Sequence, residues 1–169
     1  MFMTPEQAAV TNLTEWRQWN TLREITELSA IDRVMLALGC VPYTHLDDCG
    51  GADRELPQWL GPNGAAVPIP NFHSFEGLAQ VRQAVIRQWC GELEAINYLY
   101  RLGEFHLSLT RNWCGDETRP FECWGSYEKE IEPWLKALFF LVWPGRPDEW
   151  WELESEITAL VTQVMEAKT

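Results

Sequence analysis

Leu78, Val81, Val85, Trp89, Leu93, Ile96 and Tyr100 recur at spacings of three and four, which predicts one long helix over residues 75–102 with a continuous apolar stripe. Ser74 stands at its N-cap and Gly103 ends it, while Arg82, Arg87, Glu92 and Glu94 fall on the polar side. Upstream, Thr4-Pro5-Glu6 reads as an N-cap followed by proline at the first helical position. The pattern stays mostly helical to Leu28, with a break near Asn20-Thr21. Ser29-Ala30-Ile31-Asp32 is a capping box with Asp in place of the usual Glu; it opens a short helix to Leu38 that Gly39 stops.

Downstream the period changes. Phe105, Leu107 and Leu109 alternate with His106 and Ser108, the mark of a strand, and Pro120–Trp124 is its partner across a Cys114-Gly115-Asp116 turn. Ser126 opens another helical segment, Pro133 interrupts it, and Trp134 starts a fresh helix through Val142. After the break at Pro144-Gly145-Arg146-Pro147, a last helix runs from Asp148 to about Ala167. Its inner stripe is Leu153, Ile157, Leu160, Val161 and Val164, with Glu149, Glu152 and Glu156 outside. Residues 40–73 differ from all of these: five prolines and four glycines interrupt any period, leaving a long irregular connection with one helical turn around Arg54–Leu60. The expected fold is a mainly α, single-domain helical bundle over residues 1–169. It is built round the 75–102 helix and carries a long Pro/Gly-rich loop and one short β-hairpin.

Charge narrows the partners. Thirteen basic residues face 25 acidic ones, a net of -12, and a field of that sign repels phosphate backbones and anionic membranes. The excess is uneven: residues 71–114 balance to zero, whereas residues 1–70 carry a net of -5 and residues 115–169 a net of -7. With 169 residues, 46% of them hydrophobic, the chain can fold on burial alone. No apolar run is long enough to span a bilayer, and the N-terminus lacks the basic and apolar regions of a secretory signal. Five cysteines, an odd count, then read as reduced thiols in a cytoplasmic protein.

Chemically versatile side chains come close together in sequence at one place, His45-Leu46-Asp47-Asp48-Cys49-Gly50-Gly51. A small enzyme or metal protein using His45, Asp48 and Cys49 is therefore the alternative reading. Zinc frameworks, however, pair cysteines two to four residues apart, whereas Cys40 and Cys49, like Cys114 and Cys123, are nine apart. Asp47-Asp48 and Gly50-Gly51 equally well shape a turn. There is no glycine-rich phosphate cradle. Glu128, Glu130 and Glu132 at a helix start complement the macrodipole without any catalytic role. No catalytic residue, metal ligand or cofactor is assigned.

Tryptophan stands above background, with ten copies. Trp16, Trp19, Trp89, Trp134 and Trp143 fall on apolar stripes. Trp150 and Trp151 lie about 100° apart on a helix and cannot both face one core. One of them, with Trp59 and either Trp113 or Trp124, is expected at the surface, where tryptophan concentrates binding energy. Trp59 has two readings: a hot-spot contact held between prolines, or a core anchor for the 40–73 segment, the second slightly preferred.

The functional expectation is a non-enzymatic acidic protein that binds a basic protein or complex, with no direct contact to nucleic acid or membrane. It would block a nucleic-acid-handling partner by charge mimicry through Glu149, Glu152, Glu156, Trp150 and Trp59. Small acidic inhibitors of this type include anti-restriction and anti-CRISPR proteins and the immunity partners of bacterial toxins; size and charge, and no motif, carry the comparison. The cysteine reading has a direct check. All five thiols should react with a thiol reagent after denaturation without reductant, and dithiothreitol should leave the melting temperature unchanged. A lower melting temperature on reduction or chelation would reveal a disulfide or a metal.

Overall fold

Helix α1, Ala30–Ala37, begins where the capping box predicts: the Ser29 hydroxyl accepts from the Asp32 amide at 3.1 Å. It ends through Leu38 into Gly39, whose φ of +86° is the left-handed terminator. The computed structural model describes residues 29–43, 58–89, 94–113 and 115–167, so the helix expected over residues 4–28 lies outside the described residues. The chain divides into two units, Met1–Ile69 and Pro70–Thr169.

In the first unit, the segment expected to be irregular forms a small antiparallel sheet. Strand β1 is Val41–Tyr43, β2 is Gln58–Leu60 and β3 is Ala66–Val67, in the order β1-β2-β3. The helical turn expected to reach Leu60 is thus a strand at its described end. Trp59 pairs with Pro42 on one side and Val67 on the other. Pro42 is tolerated because β1 is an edge of this sheet, where a ladder amide is dispensable. A tight loop closes β2 onto β3, with the Gly61 amide donating to the Ala65 carbonyl at 2.8 Å and the Ala65 amide to the Asn63 side chain at 3.1 Å.

The second unit overturns the expectation of a mainly α bundle. Helix α2, Phe75–Trp89, starts as predicted, with the Ser74 hydroxyl accepting from the Gly77 amide at 3.1 Å, but it stops well short of residue 102. Glu94–Arg101 is strand β4, followed by β5, Glu104–Trp113, and β6, Asp116–Ser126, in an antiparallel meander. The short hairpin expected at Phe105–Trp124 is the middle and last strands of this larger sheet. Ile96 and Tyr100 suit a helical stripe four residues apart, yet Ile96, Tyr98 and Tyr100 suit a strand face equally well. Pairing decides between them. Leu102 and Gly103, at φ +49° and +79°, form a two-residue turn of the primed kind that matches strand twist. All eight β4 residues then find partners on β5, from Arg101 opposite Glu104 to Glu94 opposite Arg111.

Phe105, Leu107, Leu109, Phe121 and Cys123 make the buried face of the sheet. The register shifts between Leu109 and Arg111, where Arg119 and Pro120 together oppose Thr110; a bulge is where a strand can hold a residue without an amide donor. The helix laid on this face is α3, Ile131–Leu141, with eight of its 11 residues buried. A helix apolar on all but the narrow side of Glu132 and Lys136 must be central, so α3, and not a 75–102 helix, is the scaffold. Pro133 does not interrupt it, because the first turn of a helix needs no amide donor from that residue. The approach to β6 is close: a Cβ on Gly125 would stand 2.8 Å from Pro133 Cγ. Trp134 is fully buried against Tyr98 and Phe105, and Phe140 against Phe121.

The last helix also differs. Residues Trp150–Glu152 form a 3-10 turn, and helix α4 runs only from Glu154 to Glu166. Ile157, Val161 and Val164 face inward as the pattern predicts. Among the described residues no helix is long and apolar enough to cross a membrane. Trp59 generates the test for the first unit. At 6% exposure it acts as a core anchor, and Trp59→Ala should cost about 3–5 kcal/mol of that unit's stability in chemical denaturation. A loss below about 1 kcal/mol would return it to the surface reading.

Candidate functional site

Two of the residues expected to bind a partner, Trp59 and Trp150, are buried. Trp59 is buried in the first unit. Trp150 is 7% exposed; its indole N–H donates to the Glu122 carbonyl at 3.0 Å and its ring packs on Phe121 at 5.0 Å. Its neighbour Trp151, at 63% exposure, is the ring that reaches solvent. The sequence posed this choice correctly but assigned it to the wrong indole. Glu152 and Glu156 are exposed, whereas Glu149 is half-buried and precedes the 3-10 turn. The acids therefore do not share one rigid helix as expected: Glu152 closes the 3-10 turn, and Glu154 and Glu156 occupy the first turn of α4. His45, Asp48 and Cys49, the alternative cluster, lie outside the described residues. Among the described residues no group of three or more His, Cys, Asp or Glu is placed to hold a metal ion.

A different site emerges in the second unit, an open groove of about 1080 Å³. One wall is the start of α2. Asn71 organises it, its side chain accepting from the His73 amide at 3.0 Å and its carbonyl from the Ser74 hydroxyl at 2.6 Å. This turn sends Phe75 outward, 90% exposed. His73 Nε2 donates to the Met165 carbonyl at 3.0 Å and so ties this wall to the end of α4. The opposite wall is Tyr100 of β4 with the 3-10 turn Tyr127–Lys129, which Ser126 caps by accepting from the Glu128 amide at 3.3 Å. The Tyr127 amide donates to the Gly103 carbonyl at 2.9 Å, which fixes the turn against the β4–β5 hairpin.

Two features define its chemistry. The Tyr100 and Tyr127 rings meet edge to face, centroids 5.5 Å apart and planes at 72°, so their faces form a corner. Carboxylates surround it: Glu128, Glu130, Glu132 and Glu166 outnumber the cations Arg82 and Lys129 among the described wall residues. Arg82 is already engaged, its guanidinium over the Tyr98 ring at 5.3 Å and the Trp134 ring at 5.4 Å. Removal from water, reinforced by a hydrogen bond to the Glu130 carboxylate and by its charge, pushes the Tyr100 phenol up to about 12. The phenol therefore keeps its proton throughout the neutral range.

The sequence pattern hides this groove because it puts Tyr100 on a helix stripe and Glu128, Glu130 and Glu132 at a helix start, where the macrodipole accounts for them. The signal present was the alternation Tyr127-Glu128-Lys129-Glu130 directly after a strand-ending Ser126. On the other face of the sheet, His106 stacks on Trp124 at 4.0 Å and bonds Glu122 at 2.8 Å, with Arg119 3.6 Å from the same carboxylate. Each member is matched by a neighbour in the cluster, a structural polar network on the central strand. Comparison with protein-family models, with curated proteins and with solved structures returned no match to this chain.

The raised Tyr100 phenol sets a pH test. The unfolded phenol ionises near 10 and the folded one near 12, so the folded state holds its proton longer and stability should fall as pH rises between them. Ultraviolet titration should show one late tyrosinate step that Tyr100→Phe removes. Loss in that variant of a step near 10, with no late step in the wild type, would place the phenol in open water.

Proposed function

We propose that this chain is a non-enzymatic acidic binding protein that occupies the surface of a basic partner, a nucleic-acid-handling protein, and inhibits it by presenting carboxylates where phosphates would bind. The observation that carries the reading is the acidic run across the 3-10 turn and the start of α4, where Glu152, Glu154 and Glu156 are exposed and form no ion pair among the described residues, beside the exposed ring of Trp151. Spaced carboxylates on an ordered element steer a basic surface toward the protein, and one large rigid aromatic supplies area that excludes water. The net charge of -12 extends that steering over the whole chain. By type, size and charge, such a protein stands with the anti-restriction and anti-CRISPR proteins and the immunity partners of bacterial toxins. Its place is the reducing cytoplasm, a reading supported by the buried Cys123 thiol, which forms no disulfide and which burial holds above the usual thiol range.

The test is charge reversal at Glu152, Glu154 and Glu156 to Lys. Exposure at all three positions should leave the melting temperature nearly unchanged. Wild-type protein should compete with duplex DNA for basic DNA-binding proteins in a salt-sensitive manner. The reversed variant should associate about tenfold more slowly and lose most of that salt sensitivity. Unaltered association kinetics would remove this surface from the interface, and absence of competition with DNA would end the mimicry reading.

A further inference from the structure

We propose that the groove between the start of α2, the β4–β5 hairpin and the Tyr127–Lys129 turn receives an arginine side chain of the basic partner, an inference that rests on the basic-partner reading above. The ring faces of Tyr100 and Tyr127, set at 72°, offer a corner in which a planar guanidinium stacks on one ring and meets the other. Glu128 and Glu130 stand on the same wall and Glu166 on the α4 side, so the donors of the guanidinium fork find carboxylate acceptors. Phe75, almost fully exposed, covers the aliphatic stem.

Charge selects this occupant. An anionic group would enter against four wall carboxylates, with Lys129 as the cation left to it, since Arg82 lies over the Tyr98 and Trp134 rings. An uncharged apolar side chain would bury against Tyr127 and Phe75 but leave the carboxylates without partners. The corner is also held ready: the Tyr127 backbone is bonded to Gly103 before any ligand arrives. Little ordering then remains to oppose binding. The acids at the start of α4 govern how fast a partner arrives, and the groove governs how long it stays.

The experiment is calorimetric titration of the full chain with a short oligo-arginine peptide and with its citrulline counterpart, which keeps the shape and removes the charge. The wild-type protein should bind the arginine peptide and bind citrulline at least tenfold more weakly. Tyr127→Ala, at a position 58% exposed, should keep the fold by melting temperature and weaken arginine binding about tenfold. Glu130→Gln should weaken it severalfold. Asp116→Asn, the same loss of one charge at the opposite end of the sheet, should change it less than twofold. Arginine binding that is indifferent to Tyr127→Ala, or equally sensitive to Asp116→Asn, would overturn the groove while leaving the acidic-module reading standing. Equal affinity for arginine and citrulline peptides, or no binding of either at low salt, would overturn both.

Discussion

Helix α3 gives water only the narrow side that carries Glu132 and Lys136. Its sequence, Ile131 to Leu141, is apolar almost all round, and each fully buried Leu or Phe contributes about 1.5–3 kcal/mol only if every flank is covered. The sheet covers one flank with Phe105, Leu107, Leu109 and Phe121. Helix α2 contributes Val81, Ala84 and Val85 to the same core, and α4 contributes Ile157, Val161 and Val164. Everything else in the second unit follows from satisfying that one helix, including the close contact of Gly125 with Pro133 and the tilt of Trp150 onto Phe121.

That demand also makes the groove. The aromatic contacts of Trp134 hold Tyr98 and Phe105 in place, and Tyr100 lies one step further along the same face. There the core runs out, because α3 begins only at Ile131 and the 3-10 turn before it carries polar residues. Tyr100 is therefore left half in water on a wall shared with carboxylates. A core that ends in aromatic rings and is rimmed by acids has the chemistry of a cation seat, and it arises here at the margin of ordinary packing.

The polar side of the sheet shows the same economy of causes. His106, Ser108 and Thr110 are buried although polar, because β5 is the middle strand and its neighbours' side chains close over it. His106 is matched by Trp124 and Glu122 from the adjoining strand. Cross-strand pairing is sufficient to explain these residues, and none of them needs a ligand.

Local chemistry alone determined several features. The Ser29 and Ser74 caps, the Gly39 stop, the inner stripe of α4 and the acidic balance all depend on neighbours within a turn or on simple counting, so they were legible in the residues. Tertiary structure decided the rest. Ile96, Tyr98 and Tyr100 satisfy a helical and a strand period alike, and only ladder bonds to β5, whose partner residues lie five to 13 positions away, could choose the strand. Trp150 or Trp151 was a choice that required knowing where Phe121 and the Glu122 carbonyl stand. The groove was least legible of all, since Phe75, Tyr100, Tyr127 and Glu166 come from four separate stretches of chain, and no pattern within any one of them specifies that they meet.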